Sequence, residues 1–240
     1  MGGHLQGDED WPARTLGVTF AELIGASLWG ELLEEGRIRA HGAGEVLLRQ
    51  GDPGTHALAL VRGVVKVSRT KQDGRVSVLA FRGTGDVVGE ASAAHSKTAR
   101  LATVESISAC TVVVVGKDRF TQFIEANGLW PALHRHAQIR LTESDSARSG
   151  YGGSCERLAV ALLALVAAAG GTTAPTGLEL AVTRSELAQY LGVSRNTVSS
   201  RLGDIGERIV VGKRKSIVVH DTAGLRAVAE GRSRPATLCE

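Results

Sequence analysis

Residues 183–215 carry side chains whose types and spacing can read a nucleic-acid duplex. Val198, Leu202 and Ile205 are spaced i, i+4, i+7, so a helix beginning near Ser194 turns Arg195, Asn196, Ser199, Ser200 and Gly203 outward. An arginine can fork onto O6 and N7 of guanine, and an asparagine onto N6 and N7 of adenine. The hydroxyls of Ser194, Thr197, Ser199 and Ser200 can reach phosphates or base edges. Just upstream, Thr183-Arg184-Ser185-Glu186 has the T-x-x-E form of a capping box and opens a short helix through Leu187, Ala188 and Leu191, closed by Gly192. Two helices joined at a glycine by so short a turn form a helix-turn-helix, whose second helix enters the major groove while the first crosses the backbone. Arg208–Val211 and Ser216–Val219 then flank Gly212-Lys213-Arg214-Lys215, a two-stranded wing with a basic tip. The candidate nucleic-acid contacts are Thr183, Arg184, Ser194, Arg195, Asn196, Thr197, Ser199, Ser200, Arg201, Lys213, Arg214 and Lys215. On spacing alone, a structural helical hairpin with solvated arginines competes with this reading. The capping box, glycine turn, polar face and basic wing together favour the helix-turn-helix.

Several elements must hold these side chains in place. An acidic, glycine-bearing tail leads into a helical stretch from Phe20 to Glu35, with Phe20, Leu23, Ile24, Leu28 and Leu32 on one face. From Ile38 the period changes to short apolar or alternating runs: Glu45–Leu48, Leu58–Val61, Val64–Ser68, Ser77–Phe81, Val87–Val88, Leu101–Val104 and Cys110–Val115. Glycine-rich turns separate them. Many short strands at such spacing predict a β-sandwich or jelly roll. Beyond Gly116 the helical period returns through Phe120, Phe123, Ile124, Leu129, Leu133, Ala137 and Leu141, as one long helix or a short one followed by a longer one. Thr142–Gly153 is polar and Ser/Gly-rich and reads as a frayed helix end and linker. Ser154 is a candidate cap for an apolar helix through Leu158, Leu162, Leu165 and Val166, ended by Gly170-Gly171, with a loop from Thr172 to Gly177. The expected domains are a tail at 1–18, a jelly roll at 19–118, a helix and hinge at 119–153, a winged helix-turn-helix at 154–230 and a tail at 231–240.

Composition narrows the classes. The 240 residues hold 28 basic and 25 acidic side chains, and 43% are hydrophobic, an ordinary globular balance. The first 150 residues hold 17 of each charge and the remainder 11 basic against 8 acidic, so the whole net charge of +3 lies in the last third. Thr183–Lys215 alone carries +4, which favours an anionic partner. The apolar run Leu158–Ala169 is far shorter than the roughly 18–20 residues of a membrane span. With Asp8, Glu9 and Asp10 where a signal peptide would be basic, a cytoplasmic protein is expected. Cys110, Cys155 and Cys239 form no C-x-x-C pair, and His4, His41, His56 and His95 show no ligand spacing, so no metal is expected. His134 and His136 stand i, i+2 on a helix and do not face one another. Gly83-x-Gly85-x-x-x-Gly89 lacks the spacing of a nucleotide loop and reads as turn glycines. No nucleophile elbow, H-E-x-x-H or P-loop occurs, so enzyme activity is not expected.

Thr183 to Leu202 (TRSELAQYLGVSRNTVSSRL) resembles the helix-turn-helix of the cyclic-AMP receptor protein/FNR (Crp/Fnr) superfamily of bacterial transcription regulators. Arg49-Gln50-Gly51-Asp52, Arg62-Gly63-Val64-Val65-Lys66-Val67 and Gly83-Thr84-Gly85-Asp86-Val87-Val88-Gly89-Glu90 are similar to the family's cyclic-nucleotide-binding jelly roll. The similarity runs over about residues 18–228. It implies an α+β fold with an N-terminal cyclic-nucleotide-binding-type β jelly roll, a central dimerisation helix and a C-terminal winged helix-turn-helix. It further implies a sequence-specific DNA-binding regulator that senses an effector, cyclic AMP (cAMP) or cyclic GMP (cGMP), in the jelly roll. Glu90 stands where the family has its ribose-binding glutamate and Arg100 where it has its phosphate-binding arginine, and Gly89, Ala91 and Leu101 complete the implied ligand set. Leu101 departs from the pattern, which usually places Ser or Thr there. Two readings stay open: a working pocket, or a degenerate one in which Glu90 and Arg100 are a structural pair and DNA is bound without cyclic nucleotide or on a different signal. Leu129–Leu141 matches the dimerisation helix, and a homodimer would set two recognition helices about 34 Å apart on a pseudopalindromic operator. Thr142–Ser149 lacks the apolar heptad of a coiled-coil seam, so the family's adenine-contacting residues find no counterparts there; it reads as a hinge between pocket and DNA. Arg195 matches the base-contacting arginine, whereas Asn196 stands where glutamate is common and Ser200 where a second arginine is, which implies a different operator. Gene activation would add RNA polymerase as a partner. A module whose helical part contacts protein rather than DNA is the third reading, against which Arg195 and the basic wing stand.

Overall fold

The computed structural model describes residues 18–94, 99–149, 153–169 and 177–232, with the backbone alone at 93–94 and 141–149. The expected loop at 172–176, Gly170-Gly171, both tails except Val18, Arg232 and Gly231, and His4, His95 and Cys239 lie outside the described residues. The chain runs α1 (Phe20–Ile24), α2 (Ala26–Glu34), β1 (Arg37–His41), β2 (Val46–Leu48), β3 (His56–Arg62), β4 (Val65–Thr70), β5 (Val76–Arg82), β6 (Val87–Val88), α3 (Glu90–Ala94), β7 (Thr103–Ser106) and β8 (Cys110–Gly116). It continues through α4 (Lys117–Ala126), α5 (Trp130–Ser149), α6 (Ser154–Ala168), β9 (Leu178–Leu180), α7 (Arg184–Leu191), α8 (Arg195–Ile205), β10 (Val210–Gly212), β11 (Ile217–Val219) and α9 (Thr222–Ala229).

Two antiparallel four-stranded sheets, in the orders β1-β8-β3-β6 and β2-β7-β4-β5, form the jelly roll. The apolar run of β3 is continuous because both of its faces are covered. Leu58 and Leu60 point into the sandwich with Leu48, Val65, Val104 and Val112, whereas Ala57 and Ala59 meet the helices on the other side. Small side chains stand where helices approach the sheet and larger ones where two sheets must be bridged. Phe20, Leu32, Phe120, Phe123, Ile124, Leu129 and Leu133 complete the helical layer. Cys110 lies in the sandwich interior, where burial pushes its thiol up to about 11.

The C-terminal unit packs α6, α7, α8 and α9 against a small sheet of order β10-β11-β9, around Leu158, Leu162, Leu165, Leu187, Val198 and Leu225. α6 is apolar on nearly every side, as a helix central to a bundle must be.

The structure corrects the sequence reading at several points. The stretch Phe20–Glu35 is two helices, because Gly25 adopts φ 83°, outside the helical region, and ends α1 as it begins α2. Thr142–Ser149 is helical backbone rather than a frayed end: α5 continues to Ser149, and no glycine or proline stands between Pro131 and Gly150 to stop it. Leu101 and Ala102 precede β7 rather than belonging to it. Gly153, not Ser154, caps α6. β1, β9, α3 and α9 are further elements without a counterpart in the sequence reading.

Candidate effector pocket and nucleic-acid interface

The pocket begins at the end of β6. Gly89 takes φ 79° and turns the chain into α3, and a Cβ added there would lie 2.3 Å from Arg100 Nη1. The guanidinium therefore packs directly on a backbone that only glycine permits. Arg100 is fixed by its own main chain, which pairs with Asp52 (N–H to O, 2.8 Å) and Gly51 (2.9 Å). Its Nη1 donates to Gly89 O at 2.9 Å and Ser92 Oγ at 3.1 Å, and its Nη2 to His56 O at 2.5 Å. Burial lowers its pKa from the usual arginine value, against the opposing pull of the Glu90 and Asp52 carboxylates.

Gly89, Glu90, Ala91, Arg100 and Leu101 line one cavity of about 170 Å³. Loss of hydration raises the Glu90 carboxyl above the ordinary glutamate value, only partly countered by its backbone hydrogen bond and the charge of Arg82. Leu101 is 58% exposed at the cavity edge and offers no hydroxyl. Residues that sequence reasoning did not assign to the pocket also line it: Arg82 from β5, and His136 and Arg140 from α5. Behind them Asp86 is buried and takes an ion pair from Arg140 Nη2, while Arg140 Nε donates to His136 Nε2 at 3.1 Å. Because an arginine N–H can only donate, that contact assigns the lone pair of His136 to Nε2, and its proximity to Asp86 Oδ1 (3.2 Å) is then no hydrogen bond. Phe20 stands edge-on to the imidazole with centroids 5.5 Å apart. The signal for this cluster was faint: one arginine ending an apolar strand, and a His/Arg pair at i, i+4 on a helix otherwise poor in pattern.

Leu129, just before α5, and Leu133 within it pack into the jelly-roll layer, leaving His134, Arg135, Ala137 and Gln138 on the exposed side of α5. Among the described residues, no group of three or more His, Cys, Asp or Glu is arranged to hold a metal ion. No described helix is long and apolar enough to cross a membrane.

In the C-terminal unit, Thr183 caps α7 reciprocally. Its Oγ1 accepts from Glu186 N at 3.2 Å, and Glu186 Oε2 accepts from Thr183 N at 2.7 Å. Gly192 closes α7 in the left-handed conformation, and Ser194 caps α8 by accepting from Thr197 N at 2.9 Å, its hydroxyl also meeting that of Thr197. Val198, Leu202 and Ile205 are buried, which leaves Arg195, Asn196, Ser199 and Ser200 together on the exposed face. Lys213, Arg214 and Lys215 are exposed at the wing tip, with Lys213 Nζ 3.2 Å from Glu179 Oε2. Hydrogen bonds from Ser216 and Lys213 hold the Glu179 carboxyl below its ordinary value. Arg184 Nη2 donates to Gly212 O at 2.5 Å and ties the first helix to the wing. Arg201 Nε donates to Ser154 Oγ at 2.8 Å and its Nη1 pairs with Asp204 at 2.6 Å, so its guanidinium joins α8 to α6.

A cyclic nucleotide-binding domain matches residues 38–127, and a Crp-like helix-turn-helix domain matches residues 156–228. The chain belongs to the Crp/Fnr family of transcription regulators. The cAMP-activated global transcriptional regulator CRP of Escherichia coli O6:H1 is 26% identical over 180 residues, covering 73% of this chain and 86% of that protein. The CRP-like cAMP-activated global transcriptional regulator of Mycobacterium tuberculosis is 28% identical over 190 residues, covering 76% and 83%. Among solved structures, a CRP/FNR-family transcriptional regulator from Thermus thermophilus superposes with a TM-score of 0.58 at 23% identity, over 82% of this chain and all of that one. A cyclic nucleotide binding protein from Ruegeria pomeroyi gives 0.62 at 20% identity, over 94% and 99%. The cyclic nucleotide-binding match holds the pocket lining apart from His136 and Arg140, and the helix-turn-helix match holds the polar face of α8.

Proposed function

We propose that this Crp/Fnr-family regulator binds a cyclic nucleotide between β6, α3 and the Arg100 segment, and binds an operator through the exposed face of α8 and the wing. The observation that carries the reading is the convergence of Gly89, Glu90 and Arg100 on one cavity at the wall facing α5. A carboxylate accepts from ribose hydroxyls and a guanidinium forks onto phosphate oxygens. Cyclic AMP, the activator named for the Escherichia coli and Mycobacterium tuberculosis relatives, is the first ligand to test, with cyclic GMP beside it. On the DNA side, Arg195, Asn196, Ser199 and Ser200 reach base edges. Lys213, Arg214 and Lys215 reach phosphates, Thr183 and Ser194 present helix N-termini to the backbone, and Arg184, Thr197 and Arg201 hold this surface in shape. A homodimer formed along α5 presents two such surfaces to a pseudopalindromic operator in the cytoplasm, with RNA polymerase as the further partner for activation.

One observation favours a second reading. Both Nη groups of Arg100 already serve Gly89 O, Ser92 Oγ and His56 O, and Leu101 adds no donor. A pocket of that kind suits a regulator that binds DNA without cyclic nucleotide or answers a different ligand. Calorimetric titration with each cyclic nucleotide, with Arg100→Ala as the control, separates the two. Saturable heat lost in the variant supports the nucleotide-gated switch; absence of heat with either nucleotide leaves the second reading.

A further inference from the structure

The sheet wall that closes the cavity carries the helix-turn-helix on its other face. In the β4–β5 ladder, Val65 lies opposite Arg82 and Lys66 opposite Phe81. Successive strand residues point to opposite faces, so Val67 and Arg82 line the cavity while Lys66 and Phe81 turn toward α7. There the Phe81 ring meets Tyr190 edge-on, with centroids 4.9 Å apart. Val78, on the edge strand β5, donates its N–H to Gln189 Oε1 at 2.9 Å, so a helix side chain covers an edge that would otherwise be open. Ala181 N–H donates to Ile107 O at 2.7 Å.

Lys66 is the charged centre of this contact. Its side chain is 9% exposed, and its Nζ lies 2.5 Å from Glu186 Oε1 and 3.2 Å from Glu105 Oε1. The other oxygen of Glu186 closes the capping box on Thr183. A single carboxylate thus fixes the N-terminus of α7 and pins it to the jelly roll. We infer that Lys66 is a positioning residue for DNA recognition, holding the helix-turn-helix in one orientation on the β4–β5 wall. The inference rests on duplex binding by the helix-turn-helix. Two recognition helices must meet half-sites one helical turn apart, so a loosened orientation impairs simultaneous engagement of both half-sites more than contact with either one.

The test uses the full-length protein in four forms: wild type, Lys66→Met, Lys66→Arg and Glu186→Gln. Glutamine serves a capping box as well as glutamate does, so Glu186→Gln removes the charge without removing the cap. Amide exchange in free protein is read at Val78 and Ala181. Affinity is read on a duplex selected from a random pool by the wild type and on a duplex carrying one half of it. Lys66→Met and Glu186→Gln are expected to speed exchange at both amides and to lower full-site affinity about tenfold, with half-site affinity held within about twofold; Lys66→Arg keeps wild-type behaviour. Equal losses on both duplexes, unchanged exchange, or tighter full-site binding in Lys66→Met would overturn the inference. Should Lys66→Met fail to fold by circular dichroism, Glu186→Gln decides. A wild type that selects no duplex refutes the duplex-binding reading instead, and the exchange measurement still reports on the contact.

Discussion

If Arg195 reads a base as proposed, Arg195→Ala isolates that readout from everything else the helix-turn-helix does. Arg195 is the first residue of α8 after its cap Ser194, is exposed, and its side chain has no hydrogen bond or ion pair to another described residue. Its removal is therefore expected to change folding stability by no more than about 0.5 kcal/mol, the usual range for a surface substitution. On DNA, a guanidinium paired bidentately with guanine contributes about 1–3 kcal/mol of discrimination per site. A two-fold dimer uses the residue twice, so the loss on a full operator is about 2–6 kcal/mol, or about 30-fold to 2 × 10⁴-fold in affinity. On random duplex the same variant should lose no more than one phosphate contact per protomer. Fluorescence anisotropy on a selected and a random duplex, repeated over a range of salt, reads both numbers. The reasoning is refuted by equal losses on the two duplexes, which would make Arg195 a phosphate contact, or by a matching drop in melting temperature, which would make it structural.

Asp86→Asn leaves the buried Arg140 without its carboxylate and is expected to cost about 3–5 kcal/mol, read as a lower urea midpoint with circular dichroism. An unchanged midpoint would mean that Arg140 finds other compensation. Glu90, whose pKa is raised by desolvation, keeps its proton in the folded state to higher pH than in the unfolded chain, so it opposes folding increasingly as pH rises from the ordinary carboxylate range through its raised value. Glu90→Gln should therefore raise the melting temperature at pH 7, with the advantage vanishing below pH about 4, and a difference independent of pH would contradict that origin. Gly89→Ala would place a Cβ 2.3 Å from Arg100 Nη1 at a left-handed φ of 79°, so it should displace the guanidinium and abolish whatever nucleotide heat the wild type gives. Retained binding with unchanged affinity would show that Arg100 is not the anion contact.

The parts of the molecule legible in the sequence are those where local chemistry and tertiary demand agree. The α7–α8 pair was readable because a capping box, a left-handed glycine and an i, i+4, i+7 stripe all act within about twenty residues. The sandwich strands were readable because burial on one or both faces requires apolar runs. β1 was not, because four of its five residues are exposed and it holds its place on β8 by backbone pairing, which leaves no mark on side-chain type. The far half of α5 reads as polar because its helicity needs only the absence of a breaker. The Asp86–His136–Arg140 cluster was out of reach for a different reason: its members come from a turn and a helix some fifty residues apart, and only the crossing of α5 over the jelly roll brings them together. Glu90 and Arg100 were reached through a motif resemblance, not through their environment. Burial of Lys66 against Glu186 spans 120 positions and had no local signature at all.

The state of Arg100 bears on how an anion could be read here. A guanidinium has five N–H donors, and three are engaged by the neutral acceptors Gly89 O, Ser92 Oγ and His56 O. A phosphate that takes over some of these replaces neutral hydrogen bonds by charge-assisted ones of roughly twice the strength, so the exchange is favourable at the guanidinium. It also leaves backbone carbonyls to be satisfied anew, and the released Gly89 O and Ser92 Oγ belong to the turn and first residues of α3. An anion that takes over the Gly89 O or Ser92 Oγ bond must therefore move or rehydrate this turn, which stands one residue beyond β6 in the same cavity as Arg82. β5, which carries Arg82 on that side, carries Phe81 against Tyr190 of α7 on the other. Adjacent residues of one strand thus face the ligand cavity and the DNA-binding unit. A single peptide unit therefore separates Arg82, on the cavity side, from Phe81, whose ring meets Tyr190 of α7.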